Sequence, residues 1–365
     1  MSAPRVVAGA AAPPADAYDA DVLILALDRE AETLAAIGSA LAQEGVSRHL
    51  FVIDQGSHPD TLAALARRIA GRNDATLVSG GGNLGVAGGR NLGAALGHGR
   101  VIAGLDNDAT FADAATLARA VAALDADPGL AALALRIVED ASGRDDLSSW
   151  GYPAALLRRA AGSFATACFV GAGHAIRRAA WTQAGGYDPA LFFCWEEYDF
   201  CLRAIARGWR VAYRGDIVVR HKVSAERRVA WSAARWFYFV RNRIYIERKW
   251  GASWAGLAPR VAAYLLKGTL NGQAGASLAA LAAAARLDPG PRPRLPRRAL
   301  AYLYSCDRIH RGGPLRRLRR EVLAPIGPRP PLNTNLPRTL PSWPDLTRPS
   351  AHERPGADGR LEGRP

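Results

Sequence analysis

The sequence predicts an α/β protein built on a largely parallel sheet with helices on both faces. Three observations carry that prediction. Short, nearly unbroken apolar runs such as Asp21–Leu27 suit strands buried on both sides. Each run is followed by a stretch of helical periodicity, and the strand–helix alternation repeats through residue 108 at the spacing of right-handed crossovers. The strands also end in aspartates, at Asp28, Asp54 and Asp106, where such sheets bind ligands.

Taken in order, Asp21–Leu27 is the first strand and Thr33–Gln43 an amphipathic helix. His49–Asp54 is the second strand, with a loop through Pro59 and a helix from Asp60 to Ala70. Thr76–Ser79 is a third strand, Gly80–Gly82 a turn, Gly88–Gly97 a helix, and Val101–Leu105 a fourth strand running into Asp106-Asn107-Asp108. From Ser163 the pattern changes. Phe164–Ile176 reads as strand, glycine turn and strand, Arg177–Ala184 as a short helix, and Trp195–Arg207 as a helix with Tyr198, Cys201 and Ile205 on its apolar face. Arg210–Val219 is a last strand ending near His221. Ala230–Trp250 and Ser253–Leu287 are helical, the second interrupted at Gly268 and Gly272. The aromatic set Trp231, Trp236, Phe237, Tyr238 and Tyr245 reads as helix core rather than as a ligand-stacking platform.

This divides the chain into a flexible leader over 1–19, a body over 20–250 in two halves (20–110 and 111–250), helices over 251–287, and a Pro/Arg-rich, largely irregular tail over 288–365. With 365 residues, 49% apolar and 22% charged, the chain is too long and too apolar to be disordered or fibrous. Its net charge of +14, from 47 basic and 33 acidic residues, suggests an anionic partner. Most of that charge lies in residues 286–365, where 17 Arg face 7 acids, so the body retains only +4 and nucleic acid is not expected as a partner. Around Leu315–Leu323 the tail has a short basic helix. Two readings of it stay open: a solvated tail, or a peripheral contact with the inner face of the cell membrane. Four dispersed cysteines, 168, 194, 201 and 306, form no zinc spacing and read as reduced thiols of a cytoplasmic protein.

Two motifs carry chemistry. Asp106 and Asp108, two residues apart at a strand end, suit a hard cation such as Mg²⁺ or Mn²⁺, although a bare DxD is also an ordinary turn. Upstream, Asn83-Leu-Gly-Val-Ala-Gly-Gly-Arg-Asn91 places glycines at the start of a helix with Arg90 and Asn91 beside it, an anion-binding pattern that is neither a P-loop nor a dinucleotide fingerprint.

The ordered set Val52-Ile-Asp54, Asn83-Leu-Gly85 through Arg90-Asn91, Leu105-Asp-Asn-Asp108, Phe169-Val-Gly-Ala-Gly173, Gly185-Gly-Tyr-Asp188, Phe193–Arg203, His221 and Arg241-Asn242 resembles the family 2 glycosyltransferases, and within them the rhamnosyltransferase-like branch. The resemblance spans about residues 20–250 and implies a type A glycosyltransferase fold with C-terminal helices, in which 20–250 is the catalytic domain, 20–110 its nucleotide-sugar-binding half and 111–250 its acceptor half. It implies that Asp28, Asp54, Asn83, Gly85, Arg90, Asn91, Asp106 and Asp108 bind a UDP- or dTDP-sugar donor, and that Asp106, Asp108 and His221 hold the metal. Glu197 falls on the second acid of the family's Glu-Asp pair and is implied to be the base of an inverting transfer, with Gly171, Gly173, Glu196 and Asp199 on the side of a saccharide or lipid-linked saccharide acceptor in cell-surface polysaccharide synthesis. Glu196, Glu197 and Asp199 also suit a helix first turn electrostatically, and Asp199 pairs at i,i+4 with Arg203. A non-catalytic nucleotide-sugar-binding scaffold would carry the same motifs. Donor identity, linkage and oligomeric state are not encoded in any of them.

Overall fold

The structure is a computed structural model, and it describes residues 3–222 and 232–326. Ten strands among the described residues form one mixed sheet: β1 Arg5–Gly9, β2 Ala20–Ala26, β3 Arg48–Asp54, β4 Ala75–Ser79, β5 Val101–Asp106, β6 Ala109–Phe111, β7 Leu130–Glu139, β8 Ser163–Ala165, β9 Gly173–Arg177 and β10 Arg210–His221. Their order is β1-β4-β3-β2-β5-β9-β7-β10-β6, with β8 also paired to β10. The β4-β3-β2-β5 block is parallel, as the apolar runs predict. Strand β9 joins antiparallel to both β5 and β7, and this is where the nucleotide-side sheet meets the second half.

The first half is connected by α1 Glu30–Leu41, α2 Pro59–Ile69 and α3 Gly85–Leu96. Glycines in α3 let it lie close to the sheet: a Cβ at Gly89 would sit 2.9 Å from Leu25, and one at Gly93 would sit 3.0 Å from Leu23. After α4 Thr116–Asp125 and β7 come α5 Arg178–Ala184 and α6 Glu196–Ala206. Three longer helices follow: α7 Ala233–Lys249, α8 Trp254–Leu270 and α9 Ala274–Arg286. Of the aromatic set, Trp236 and Tyr245 are core, Phe237 and Tyr238 are half-buried, and Trp231 lies outside the described residues.

Two expectations need correction. The leader is not flexible throughout, because Arg5–Gly9 pairs antiparallel with β4 and covers what would otherwise be an open sheet edge. Gly9, at φ 82°, permits the turn that follows. Nor is the chain irregular from residue 288. Helix α10, Arg297–Cys306, buries Ala299 and Cys306, and its Tyr302 hydroxyl donates to the carbonyls of Val211 (2.8 Å) and Thr166 (3.1 Å) and accepts from the Val211 N–H. The tail beyond 326 lies outside the described residues.

A buried ion pair ties the two halves together. Asp21, fully buried at the start of β2, accepts from Tyr18 Oη, from Gly99 N at 3.2 Å and from the Arg178 guanidinium at the start of α5. Removing one partner of such a pair leaves a desolvated carboxylate without its countercharge. Arg178→Ala is therefore expected to lower unfolding free energy by about 3 kcal/mol in chemical denaturation. An unchanged denaturation midpoint would show the pair to be dispensable.

Candidate active site

The site forms beyond the carboxyl ends of β2, β3 and β5, where the strand direction changes. Its key juxtaposition follows from pairing rather than from proximity in sequence. Strand β6 follows directly on Asp108 and runs antiparallel to the end of β10, with Ala109 opposite His221. That register brings His221 Nε2 to 3.3 Å from Asp108 Oδ1. The other ring nitrogen, Nδ1, stands 2.7 Å from Asp146 Oδ2. Burial alone would raise the Asp146 pKa, but hydrogen bonds from His221, Ser148 and Ser149 outweigh it and hold the carboxyl well below the usual range. With Nδ1 held by Asp146, Nε2 is the ring nitrogen that faces Asp108. This carboxylate–histidine arrangement is the one that orients metal-ligating histidines.

Arg29 closes the other side of Asp108, with its Nη1 2.5 Å from Oδ2. The backbone prepares this contact: Asp28 and Arg29 both have positive φ, 53° and 55°, and Arg29 caps α1 from a left-handed conformation. Asp28 itself receives the His58 N–H at 2.8 Å, and Asp54 receives those of Gly56 (3.2 Å) and Ser57 (3.1 Å). The two aspartates thus bracket the loop from Gln55 to His58.

Across the site, Arg90 is buried and bridges three groups. Its Nη1 donates to the Leu23 carbonyl at 2.8 Å, and its Nη2 donates to Asp106 Oδ1 (3.1 Å) and to the Gly171 carbonyl (3.4 Å). Gly171 lies between Asp106 and Glu197: a Cβ there would sit 2.7 Å from Glu197 Oε1 and 3.9 Å from Asp106 Oδ1. Burial pushes the Glu197 carboxyl up to about 7, and the charge of Asp106 adds to the rise while a backbone hydrogen bond and Arg90 oppose it. Burial, and then the charge of Glu197, pushes Glu196 well above the ordinary range. Among the described residues Glu196 Oε2 has no hydrogen-bond partner, although the residue is 97% buried.

Several expected donor and acceptor contacts are committed elsewhere. Asn91 clamps the Tyr187 backbone with both ends of its amide, at 2.8 and 2.9 Å. The start of α3 does not offer free N–H groups, because Val86 N donates to the Phe192 carbonyl at 2.7 Å. Asn83 caps Gly85 N at 2.9 Å, and Gly85, at φ 70°, is glycine because a Cβ would collide with Phe192. The glycine motif is therefore a packing joint against Phe192, with Arg90 on the Gly171 carbonyl and Asn91 on the Tyr187 backbone. Asp106 Oδ1 is held by Arg90, as Asp108 Oδ2 is held by Arg29. A buried guanidinium needs a counter-ion, and Asp106 supplies it. Among the described residues no three His, Cys, Asp or Glu side chains form a ready-made cation cage. Gly173 packs on Val219. Asp199, fully buried, is held by Arg203 (2.8 Å) and Lys249 (3.1 Å), so it does not face an acceptor.

Sequence reasoning missed Asp146, Arg29 and the role of Arg241-Asn242. On α7, Asn242 Nδ2 lies 2.8 Å from the carbonyls of Leu191, Phe193 and Cys194, and Arg241 Nη2 donates to those of Ala190 (2.7 Å) and Leu191 (2.9 Å). The clamped segment carries positive φ at Phe192, Cys194 and Trp195, three non-glycine residues, and leads directly into Glu196 and Glu197.

Comparison with known proteins agrees with this fold. The sequence model described as Glycosyl transferase family 2 matches residues 21–183. Mannosyltransferase PcManGT from Pyrobaculum calidifontis, solved with GDP-Man and Mn²⁺, superposes with a TM-score of 0.50 at 20% identity, over 80% of this chain and 81% of that one. GalNAc-T7, solved with UDP, GalNAc and Mn²⁺, gives 0.56 at 14% identity over 85% of this chain, which spans only 59% of that protein. No curated protein matches the sequence. Residues 21–183 are thus a glycosyl transferase family 2 domain, carried on the type A glycosyltransferase fold.

Proposed function

We propose that the protein is a divalent-metal-dependent, inverting glycosyltransferase. In this reading it moves a sugar from a UDP- or dTDP-sugar to a saccharide or lipid-linked saccharide acceptor in cell-surface polysaccharide synthesis, on the cytoplasmic side. The observation that carries the proposal is the position of Gly171 between Glu197 Oε1 and Asp106, at the head of the Asp-Asn-Asp turn whose Asp108 faces His221. The Phe193–Arg203 and Arg241-Asn242 motifs support the rhamnosyltransferase-like branch.

The donor set fits a hard cation in part. Asp108 Oδ1 and His221 Nε2 supply two ligands, and Mg²⁺ or Mn²⁺ ordinarily completes its shell with water and substrate phosphates. PcManGT and GalNAc-T7, two solved structures of similar fold, contain Mn²⁺. When bound, the cation neutralises the charge that develops on the nucleoside diphosphate leaving group. The chain's own residues do the rest. Asp146 fixes the His221 tautomer, Arg90 holds Asp106 and the Gly171 carbonyl in place, and Asp28 and Asp54 shape the loop beside the nucleoside. Glu197 accepts the acceptor hydroxyl's proton as that oxygen attacks the anomeric carbon from the face opposite the leaving group. A glycine at 171 keeps the approach to Glu197 open.

The test is binding first and turnover second. UDP is expected to raise the melting temperature only in the presence of Mn²⁺. Asp146→Ala, which removes the carboxylate at His221 Nδ1, is expected to weaken Mn²⁺ about 10–100-fold by calorimetry. UDP stabilisation that is indifferent to Mn²⁺ and to Asp146 would remove the metal from this reading.

A further inference from the structure

The C-terminal helices present a surface that the transferase reading does not use. Helices α8 and α9 form a hairpin whose tip exposes Leu266, Leu270 and Leu278, at 45%, 57% and 60%. Leu270 ends α8 at the connecting turn, Leu266 lies one helical turn before Leu270, Leu278 lies one helical turn into α9, and neither helix contains an acidic residue. The helical stretch Pro314–Leu323 is fastened against this tip. Lys267 Nζ donates to the carbonyls of Glu321 (2.9 Å) and Ala324 (3.0 Å), and Ile326 N donates to Asn271 Oδ1 at 2.9 Å. That stretch exposes Leu315 at 83%, together with Leu318 and Leu323, and its Arg316, Arg317, Arg319 and Arg320 are all exposed. Lone surface leucines need no explanation, but six on two adjoining elements form a patch.

We infer that this face docks on an anionic membrane, with the leucines at headgroup depth and the arginines on lipid phosphates. Charge complementarity selects the occupant. Residues 286–326 contain eleven Arg and three acids. A second copy packed on a two-fold axis would set this cationic rim against itself, because such an interface is self-complementary. The chain's own residues 327–365, with six Arg and four acids, are also net positive and offer no counter-field. An anionic leaflet offers both an apolar layer for the leucines and phosphates for the arginines, each arginine near its surface being worth about fivefold in partition. No helix among the described residues is long and apolar enough to cross a membrane, so the contact is peripheral. The inference does not depend on the transferase reading.

The test is sedimentation of the full chain with vesicles of phosphatidylcholine alone and with about one third phosphatidylglycerol. Binding is expected only to the anionic vesicles, and to weaken as salt is raised. Leu266→Asp/Leu270→Asp/Leu278→Asp is expected to lower partition about 100-fold, and Arg319→Glu/Arg320→Glu at least about 30-fold. The second variant alters only exposed side chains, so it reports on docking even where the first perturbs the hairpin. Equal binding to neutral vesicles, no binding to either, or wild-type partition in both variants overturns the inference. So does a dimer that the leucine variant dissociates while vesicle binding stays unchanged.

Discussion

Glu197→Gln is expected to reduce kcat about 10³-fold while leaving Mn²⁺-dependent donor binding intact. The substitution keeps shape and hydrogen bonding and removes only the basic lone pair, and a positioned base contributes roughly 10²–10⁴ to rate. The environment of Glu197 suits that task. Burial lifts its carboxyl to about 7, so at neutral pH it is partly ionised and basic enough to take a proton. In the wild type, transfer is therefore expected to rise with pH through about 7 and then level off, because the carboxyl carries a proton below that value. Stability has the opposite sign. The folded pKa lies above the ordinary carboxyl value of 4.5, so the ionised group destabilises the fold above pH 7, and this penalty disappears as pH falls towards 4.5. Glu197→Gln should accordingly melt higher than wild type at pH 8, by on the order of 2 kcal/mol. Full kcat in the Gln variant would exclude Glu197 as the base, and a lower melting temperature would contradict its burial as the source of the shift.

The parallel half of the fold was legible because its strands are continuous apolar runs separated by clear turn chemistry. Asp21–Leu27, His49–Asp54 and Val101–Leu105 all form strands within a residue or so of their expected ends. The middle of the sheet was not legible. Strand β7, Leu-Ala-Ala-Leu-Ala-Leu-Arg-Ile-Val-Glu, is rich in helix-forming Ala and Leu and becomes a strand because β9 and β10 flank it, so packing overrides local propensity. Strand β1 went unread for a different reason: its five residues have no pattern of their own and are specified by the free edge of β4.

The site shows the same division. Asp108, His221 and Glu197 are found from motif order, since each sits at the end of an element. Asp146 gives no such signal. It lies in a loop, and only the pairing of β10 with β7 brings it to His221. The glycine motif misled because glycine permits close approach by an anion or by protein, and sequence does not tell these apart. Here the approaching atom is the Phe192 carbonyl, which satisfies the helix terminus that would otherwise have suited a phosphate.

That carbonyl belongs to the segment on which the second large effect rests. Asn242→Ala is expected to lower kcat about 100-fold and unfolding free energy by about 3 kcal/mol. Three carbonyls at 2.8 Å share the two amide protons of Asn242 Nδ2, and the residue is fully buried, so truncation leaves buried acceptors unsatisfied at roughly 1–3 kcal/mol each before relaxation. The same bonds hold Phe192, Cys194 and Trp195 at positive φ, a conformation costing about 1–2 kcal/mol per residue for side chains of this size. Without the clamp the segment can relax towards ordinary dihedrals, and the first turn of α6 moves with it. A displacement of about 1 Å of a reacting group costs on the order of 10² in rate. Loss of stability alone does not produce that result, and a matched variant separates the two effects. Ile244→Ala lies on the same helix, is equally buried and should destabilise by about 3 kcal/mol through a cavity, yet it touches no carbonyl of the clamp. It should melt as low as Asn242→Ala and retain kcat. If both variants lose rate in parallel, α7 acts only as core. If Asn242→Ala alone loses it, while still binding donor and Mn²⁺, the helix sets the position of the base.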